Sequence, residues 1–257
     1  MTANVACHPS ARPDGITAEE WQARLDLAAC YRLIHMYGMD DLIYTHISAR
    51  VPGPEEHFLI NGFGLLYEEI TASNLVKVDI EGNILSDSDY GINPAGYVIH
   101  SCVHRENPEI ACVLHTHTVA GTAVSAQEEG LLPISQTAML FTGNVAYHDY
   151  EGVALREEEQ ARMLEDMGDK QVMILRNHGL LTAGRTVAEA FTLMYFLESA
   201  CKMQIAAQAG GKLTVPSREV QQYVHDAVSG GFGAGMGQRE FTALIRRLDR
   251  HDTSWRE

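Results

Sequence analysis

Short apolar runs alternate with segments of helical period along most of this chain, and that order constrains the fold more than any single residue does. Thr17-Ala-Glu-Glu20 has the form of a capping box and opens a helix carrying Leu27, Tyr31 and Ile34; Gly38 stops it. Residues 42–51 and 56–61 are rich in β-branched and aromatic side chains around a Pro-Gly turn, which predicts a hairpin. A second hairpin is predicted from 75–79 and 84–85. A helix follows Pro94 and ends at Asn107-Pro108. The remaining pattern predicts strands at 111–118, 145–150 and 172–175, and helices from 122, over 157–167 and over 186–208, the last capped by Thr186. Hairpins first, then interleaved strands and helices, predict a three-layer α/β/α fold with a central mixed, mostly antiparallel sheet flanked by helices.

Residues 1–16 are expected to be a disordered lead-in without the apolar core of a signal peptide, and 17–228 to form the main domain. The stretch 229–237, SGGFGAGMG, has five glycines in nine residues and fits either a flexible linker or a mobile cover. A C-terminal helix or tail completes 229–257. A net charge of −15 excludes a nucleic-acid or anionic-membrane surface, because such surfaces need clustered Lys and Arg. No apolar run is long enough for a transmembrane helix, so a soluble cytoplasmic protein is expected. The five cysteines form no CxxC pair; Cys30, Cys102, Cys112 and Cys201 sit in apolar surroundings as small hydrophobes.

The strongest local signal is Val113-Leu114-His115-Thr116-His117. Residues i and i+2 of a strand share a face, so the two imidazoles converge on one point at a spacing that suits two ligands of one metal ion. HxH alone is weak, since most histidines bind nothing. His178 follows the apolar run 172–175 in an Asn-His-Gly turn, where strand ends place functional groups; a turn histidine bonding its own backbone explains it equally well.

The stretches NPEIACVLHTHTVAGTAVSA and ILRNHGLLTAG resemble the class II aldolase/adducin superfamily. The likeness runs from about Trp21 to Gly211 through LIYTHISARV, HFLINGFGLLYEEITASNLVKVD, GLLPISQTA and VAYHDYEGV, several of which read more like the adducin branch. The resemblance implies that His115, His117 and His178 are the ligands of one divalent metal per subunit, zinc by family habit, with Fe(II), Co(II) or Mn(II) as alternatives. It also implies a homotetramer with active sites at subunit interfaces. Three neutral imidazoles leave the full +2 charge available to polarise substrate oxygens and stabilise an enolate.

The sequence departs from the sugar-phosphate aldolases where their chemistry is concentrated. The position of their catalytic glutamate is held by Gly96, which cannot transfer a proton. Their phosphate-holding positions correspond to Pro94, Ala95 and Phe63 beside Gly64, and the asparagine of their early turn to His46. Lost hydroxyl donors and added apolar bulk imply an unphosphorylated small-molecule substrate. His100, one turn after Gly96, is the candidate fourth ligand, acid/base or packing histidine. Tyr147 and Asp149 are candidate catalytic groups, expected on one strand face with His148 and Tyr150 on the other. A polar interface strand explains the same cluster. Gly64, Gly96 and Arg176 are candidate substrate-binding positions, Arg176 for a carboxylate. Glu68 and Glu69 read as solvated turn carboxylates. Three functions compete: a metal-dependent C–C lyase of aldolase or decarboxylase type acting on an unphosphorylated hydroxy- or oxo-acid; an O₂-using Fe(II) or Co(II) oxidative decarboxylase of aromatic acids; and a non-catalytic binding module like the adducin head.

Overall fold

The computed structural model describes residues 12–152, 157–229, 235 and 237–257. Most of the expected lead-in and of the glycine-rich stretch therefore lies outside the described residues.

Helix α1 (Ala18–Met36) starts at Thr17, whose hydroxyl accepts from the Glu20 amide at 3.1 Å. The glutamate does not complete the box. Its carboxylate meets Arg24 at 2.9 Å and Lys77 at 2.8 Å, tying the helix to the sheet. Strands β1 (His46–Arg50) and β2 (His57–Ile60) form the expected hairpin, and β3 (Val76–Asp79) extends it. The second predicted hairpin is reduced to a single bridge from Val78 to Ile84. Helix α2 (Pro94–Glu106) precedes β4 (Cys112–Thr116), and α3 (Val119–Ser125), capped by Thr118, begins earlier than its apolar run suggests. The short α4 (Gln136–Met139), β5 (Ala146–His148), α5 (Glu157–Met167) and β6 (Val172–Leu175) follow. Directly after His178 comes β7 (Gly179–Gly184), a strand the periodicity did not predict, and then α6 (Val187–Gln208).

Among the described residues, seven strands lie in the order β3-β2-β1-β4-β7-β6-β5, antiparallel except for the parallel β5–β6 pair. The expected layered fold is thus present. Central β4 and β7 are buried along their whole length because helices cover both faces. One face packs its main core against α1 and α6; the other packs Val113, Leu181 and Ala183 against α2 and α5 through Ile99, Val103 and Met163. Helices α7 (Arg218–Ser229) and α8 (Gln238–His251) close the chain. Phe241 and Leu248 of α8, with Trp255 beyond it, are buried in the same core as α1 and α6, so 238–257 is part of the packed body rather than a tail. Among the described residues, no helix is long and apolar enough to cross a membrane.

Candidate metal centre

Alternation along β4 turns Val113 and His115 toward α2 and α5, while Cys112 and Leu114 join the core on the other face. His117 stands one residue beyond the strand. His178 reaches the same point from the β6–β7 turn, made by Asn177 at φ +55° and by a His178 amide that donates to the Leu175 carbonyl at 3.1 Å. Glycine is required next. A Cβ on Gly179 would overlap the Thr116 carbonyl of the neighbouring strand and press on the rings of His115 and His117.

The Nε2 atom of His117 lies 2.8 Å from that of His115 and 2.9 Å from that of His178. The far side of two rings fixes what these atoms can be. His115 Nδ1 faces the Leu180 carbonyl at 2.9 Å, and His117 Nδ1 faces the Asp41 carboxylate at 3.0 Å. Both partners only accept, so both Nδ1 atoms carry the proton and both Nε2 atoms present lone pairs. Two lone pairs at 2.8 Å with no proton between them repel; a cation at their convergence resolves the arrangement. Burial, then His178, His117 and His46, hold His115 well below the usual imidazole range; burial, then His117, lowers His178 to about 4. His115 and His178 are therefore neutral and able to ligate at neutral pH. These three are the group among the described residues whose atoms could hold a metal.

The other candidate residues are placed differently. His100 is buried with both nitrogens engaged, Nε2 with His46 at 2.8 Å and Nδ1 with Ser48 at 2.7 Å, so it stands behind His46 rather than facing the triad. Gly96 is buried against the His46 ring, which a Cβ would overlap; it does not offer open backbone to a substrate. Gly64 is exposed at φ +111°, with open space where a Cβ would stand. The Arg176 guanidinium donates to the carbonyls of Gln127 and Glu128 at 2.5 and 3.2 Å and lies 4.4 Å over the Tyr147 ring, so it is anchored rather than free for a carboxylate.

Strand β5 ends at His148, so the alternation expected through Tyr150 stops there. The Tyr147 hydroxyl accepts from the Leu131 amide at 3.0 Å. Asp149 is exposed and lines a small cavity with Tyr150, Arg176 and His178; the Tyr150 ring is 6.3 Å from that of His178. His148 turns to α5, where Nδ1 meets Asp166 at 2.7 Å. Sequence reasoning missed Asp41, which lies in the loop after Gly38 with no spacing signal to His117. It also missed Ser48 and His104 as partners of His100.

The model of the Class II Aldolase and Adducin N-terminal domain matches residues 25–205. The chain belongs to this family. The crystal structure of an aldolase II superfamily protein from Pseudomonas syringae superposes with a TM-score of 0.92 at 55% identity, covering 95% of this chain and 98% of that one. L-fuculose 1-phosphate aldolase from Glaciozyma antarctica superposes with a TM-score of 0.81 at 26% identity, over 96% and 97% of the two chains. Alpha-adducin of Mus musculus is 45% identical over 241 residues, which is 88% of this chain but 33% of the adducin. Family members thus include both aldolases and adducins, and membership by itself does not choose a reaction.

Proposed function

We propose that this chain is a metal-dependent enzyme that opens a C–C bond in an unphosphorylated hydroxy- or oxo-acid, by aldol cleavage or decarboxylation. The observation that carries the reading is the convergence of His115, His117 and His178 with two Nδ1 atoms tied to obligate acceptors. A purely structural head has no use for such a donor set. His115, His117 and His178 would hold one divalent ion, zinc being well matched to three imidazoles. Such an ion supplies a Lewis acid beside substrate oxygens, the chemistry that lets a C–C bond next to a carbonyl open.

The chain's own residues define the rest. Asp41 and the Leu180 carbonyl orient the ligands; His46, packed over Gly96, fills the volume that a side chain at position 96 would occupy. An imidazole there, with Pro94 at the helix start and exposed Phe63, favours an unphosphorylated substrate. Leu42, Val119 and Tyr150 are exposed close in sequence or space to Asp41, His117 and His178, which supports a homotetramer whose subunits meet around the site. Metal-loaded protein is to be incubated with a panel of 2-hydroxy- and 2-oxo-acids, following aldehyde, CO₂ and O₂ together. Product without O₂ uptake, abolished by His115→Ala, is expected. Full activity after chelation would refute the reading; stoichiometric O₂ uptake would favour oxidative decarboxylation, and no turnover by a metal-loaded tetramer an adducin-like binding role.

A further inference from the structure

The end of β5 and one face of α5 enclose a second polar cluster. Glu159, Met163 and Asp166 lie at i, i+4 and i+7 on α5 and so share a face, which buried Met163 turns toward the sheet. His148 is two residues from Ala146 on β5 and shares its side, which packs into the same core as Met163. The imidazole thereby comes between the two carboxylates. Its Nδ1 donates to Asp166 at 2.7 Å; its Nε2 stands 3.6 Å from Glu159 Oε1, too far for a hydrogen bond.

Both residues are taken out of water. His148 is 4% exposed and Glu159 8%. Among the described residues, neither His148 Nε2 nor Glu159 Oε2 has a hydrogen-bond partner. Buried polar atoms in that condition are uncommon in folded proteins, and catalytic groups are one reason they persist. Asp166 only accepts, so Nδ1 carries a proton and the neutral ring presents its lone pair at Nε2. Two acceptors thus face one space. His148 and Glu159 line the small cavity whose wall also includes His178 and exposed Tyr150. Its volume, about 10 Å³, admits about one water, the smallest group that donates to two acceptors at once. The other carboxylates of the wall are placed differently: Glu151 is held by Arg162 at 2.6 Å, and Asp149 is exposed.

We propose that His148 and Glu159, backed by Asp166, are the proton relay of the metal centre, serving through one cavity water the task for which Gly96 has no side chain. Asp166 fixes Nε2 as the accepting nitrogen, and the two carboxylates stabilise the imidazolium that forms when His148 takes a proton. When a C–H bond beside a carbonyl opens, its electron pair moves into the enolate and its proton passes to the water. One of the water's own protons then passes to Nε2. After a C–C bond opens, the steps run backward, and the imidazolium returns its proton through the water to the carbon left with the electron pair. The substrate class rests on the reading given under Proposed function; the geometry of the cluster does not.

The test has two arms. Histidine ¹H–¹⁵N spectra of metal-free protein, assigned with His148→Gln, are expected to show Nδ1 of His148 protonated and its Nε2 signal shifted in Glu159→Gln. A bare Nδ1, or an Nε2 signal indifferent to Glu159→Gln, would overturn the proposal whether or not the protein is an enzyme. In the second arm, zinc-loaded protein is held in D₂O with pyruvate, the smallest 2-oxo acid with an exchangeable C–H, and methyl exchange is followed by NMR. The parent is expected to exchange, and Glu159→Gln and His148→Gln to be slower by about 10²- to 10⁴-fold with unchanged zinc affinity. An ion pair that only ties α5 to β5 would change the melting temperature and leave exchange at the parent rate, which would overturn the relay while the lyase reading stands. No exchange by the parent would also overturn the relay, and the acid panel described above then decides the lyase reading separately. Should the buried variants fail to fold, Asp166→Asn at the half-exposed end of the cluster is expected to slow exchange at least about tenfold; an unchanged rate there would refute the relay.

Discussion

Burying neutral histidines without carboxylate partners makes the fold acid-sensitive in a calculable way. His46, His100 and His104 are neutral in the folded chain, with His46 and His104 lowered to about 3 by burial and His100 well below its usual range, whereas each titrates near 6.5 when unfolded. A depressed imidazole means that the unfolded state binds the extra proton. Stability is thus full above about pH 7, falls as the pH drops through the unfolded value, and keeps falling toward the folded one. Between about pH 7 and pH 5 each such group costs about 2 kcal/mol, so the three together cost about 6 kcal/mol. That is a large part of the ~5–15 kcal/mol that holds most domains folded. In metal-free protein His115 and His178, lowered in the same direction, add to the loss; Asp26, raised by burial, opposes it. Urea unfolding of metal-free protein at pH 7, 6 and 5 should show the midpoint falling steeply, and His104→Phe, stacked on Phe58, should flatten the slope. Equal stability at pH 5 and pH 7 would show that these rings take up protons in place.

Three other outcomes are expected. Asp41→Asn removes the carboxylate from His117 Nδ1 and should weaken zinc binding about 10- to 100-fold by calorimetry, with little change in melting temperature of the metal-free protein. Trp255→Ala empties a fully buried site between the C-terminal segment and the main core, and should cost about 3–5 kcal/mol in denaturant unfolding. Gly179→Ala should abolish zinc binding, because the new methyl meets the Thr116 carbonyl and displaces the turn that carries His178; retention of parent affinity would mean the turn can relax.

The parts of this molecule that local chemistry determines could be read from the sequence. Thr17 and Thr186 cap their helices as their spacing predicts, and the two-residue period of β4 places His115 and His117 together. Parts set by pairing between distant segments could not. The His46–His100–Ser48–His104 line needs the β1–β4 register and the docking of α2, neither of which leaves a mark in local periodicity. Strand β7 was hidden because its glycine-bounded run GLLTAG follows a turn and lacks polar alternation, being buried on both faces. Arg176 and Tyr147 looked like site residues by position. In the structure Arg176 is held by the Gln127 and Glu128 carbonyls and lies over the Tyr147 ring, whose hydroxyl accepts from the Leu131 amide, contacts that no local pattern signals.

The most direct measurement is a zinc titration of metal-free protein by calorimetry, with elemental analysis of the product, for the parent chain and His117→Ala. The account predicts one ion per chain in the parent and none retained by the variant after gel filtration. A parent that binds no divalent metal, or a variant that binds it as well as the parent, would contradict the assignment of His115, His117 and His178 as the metal site.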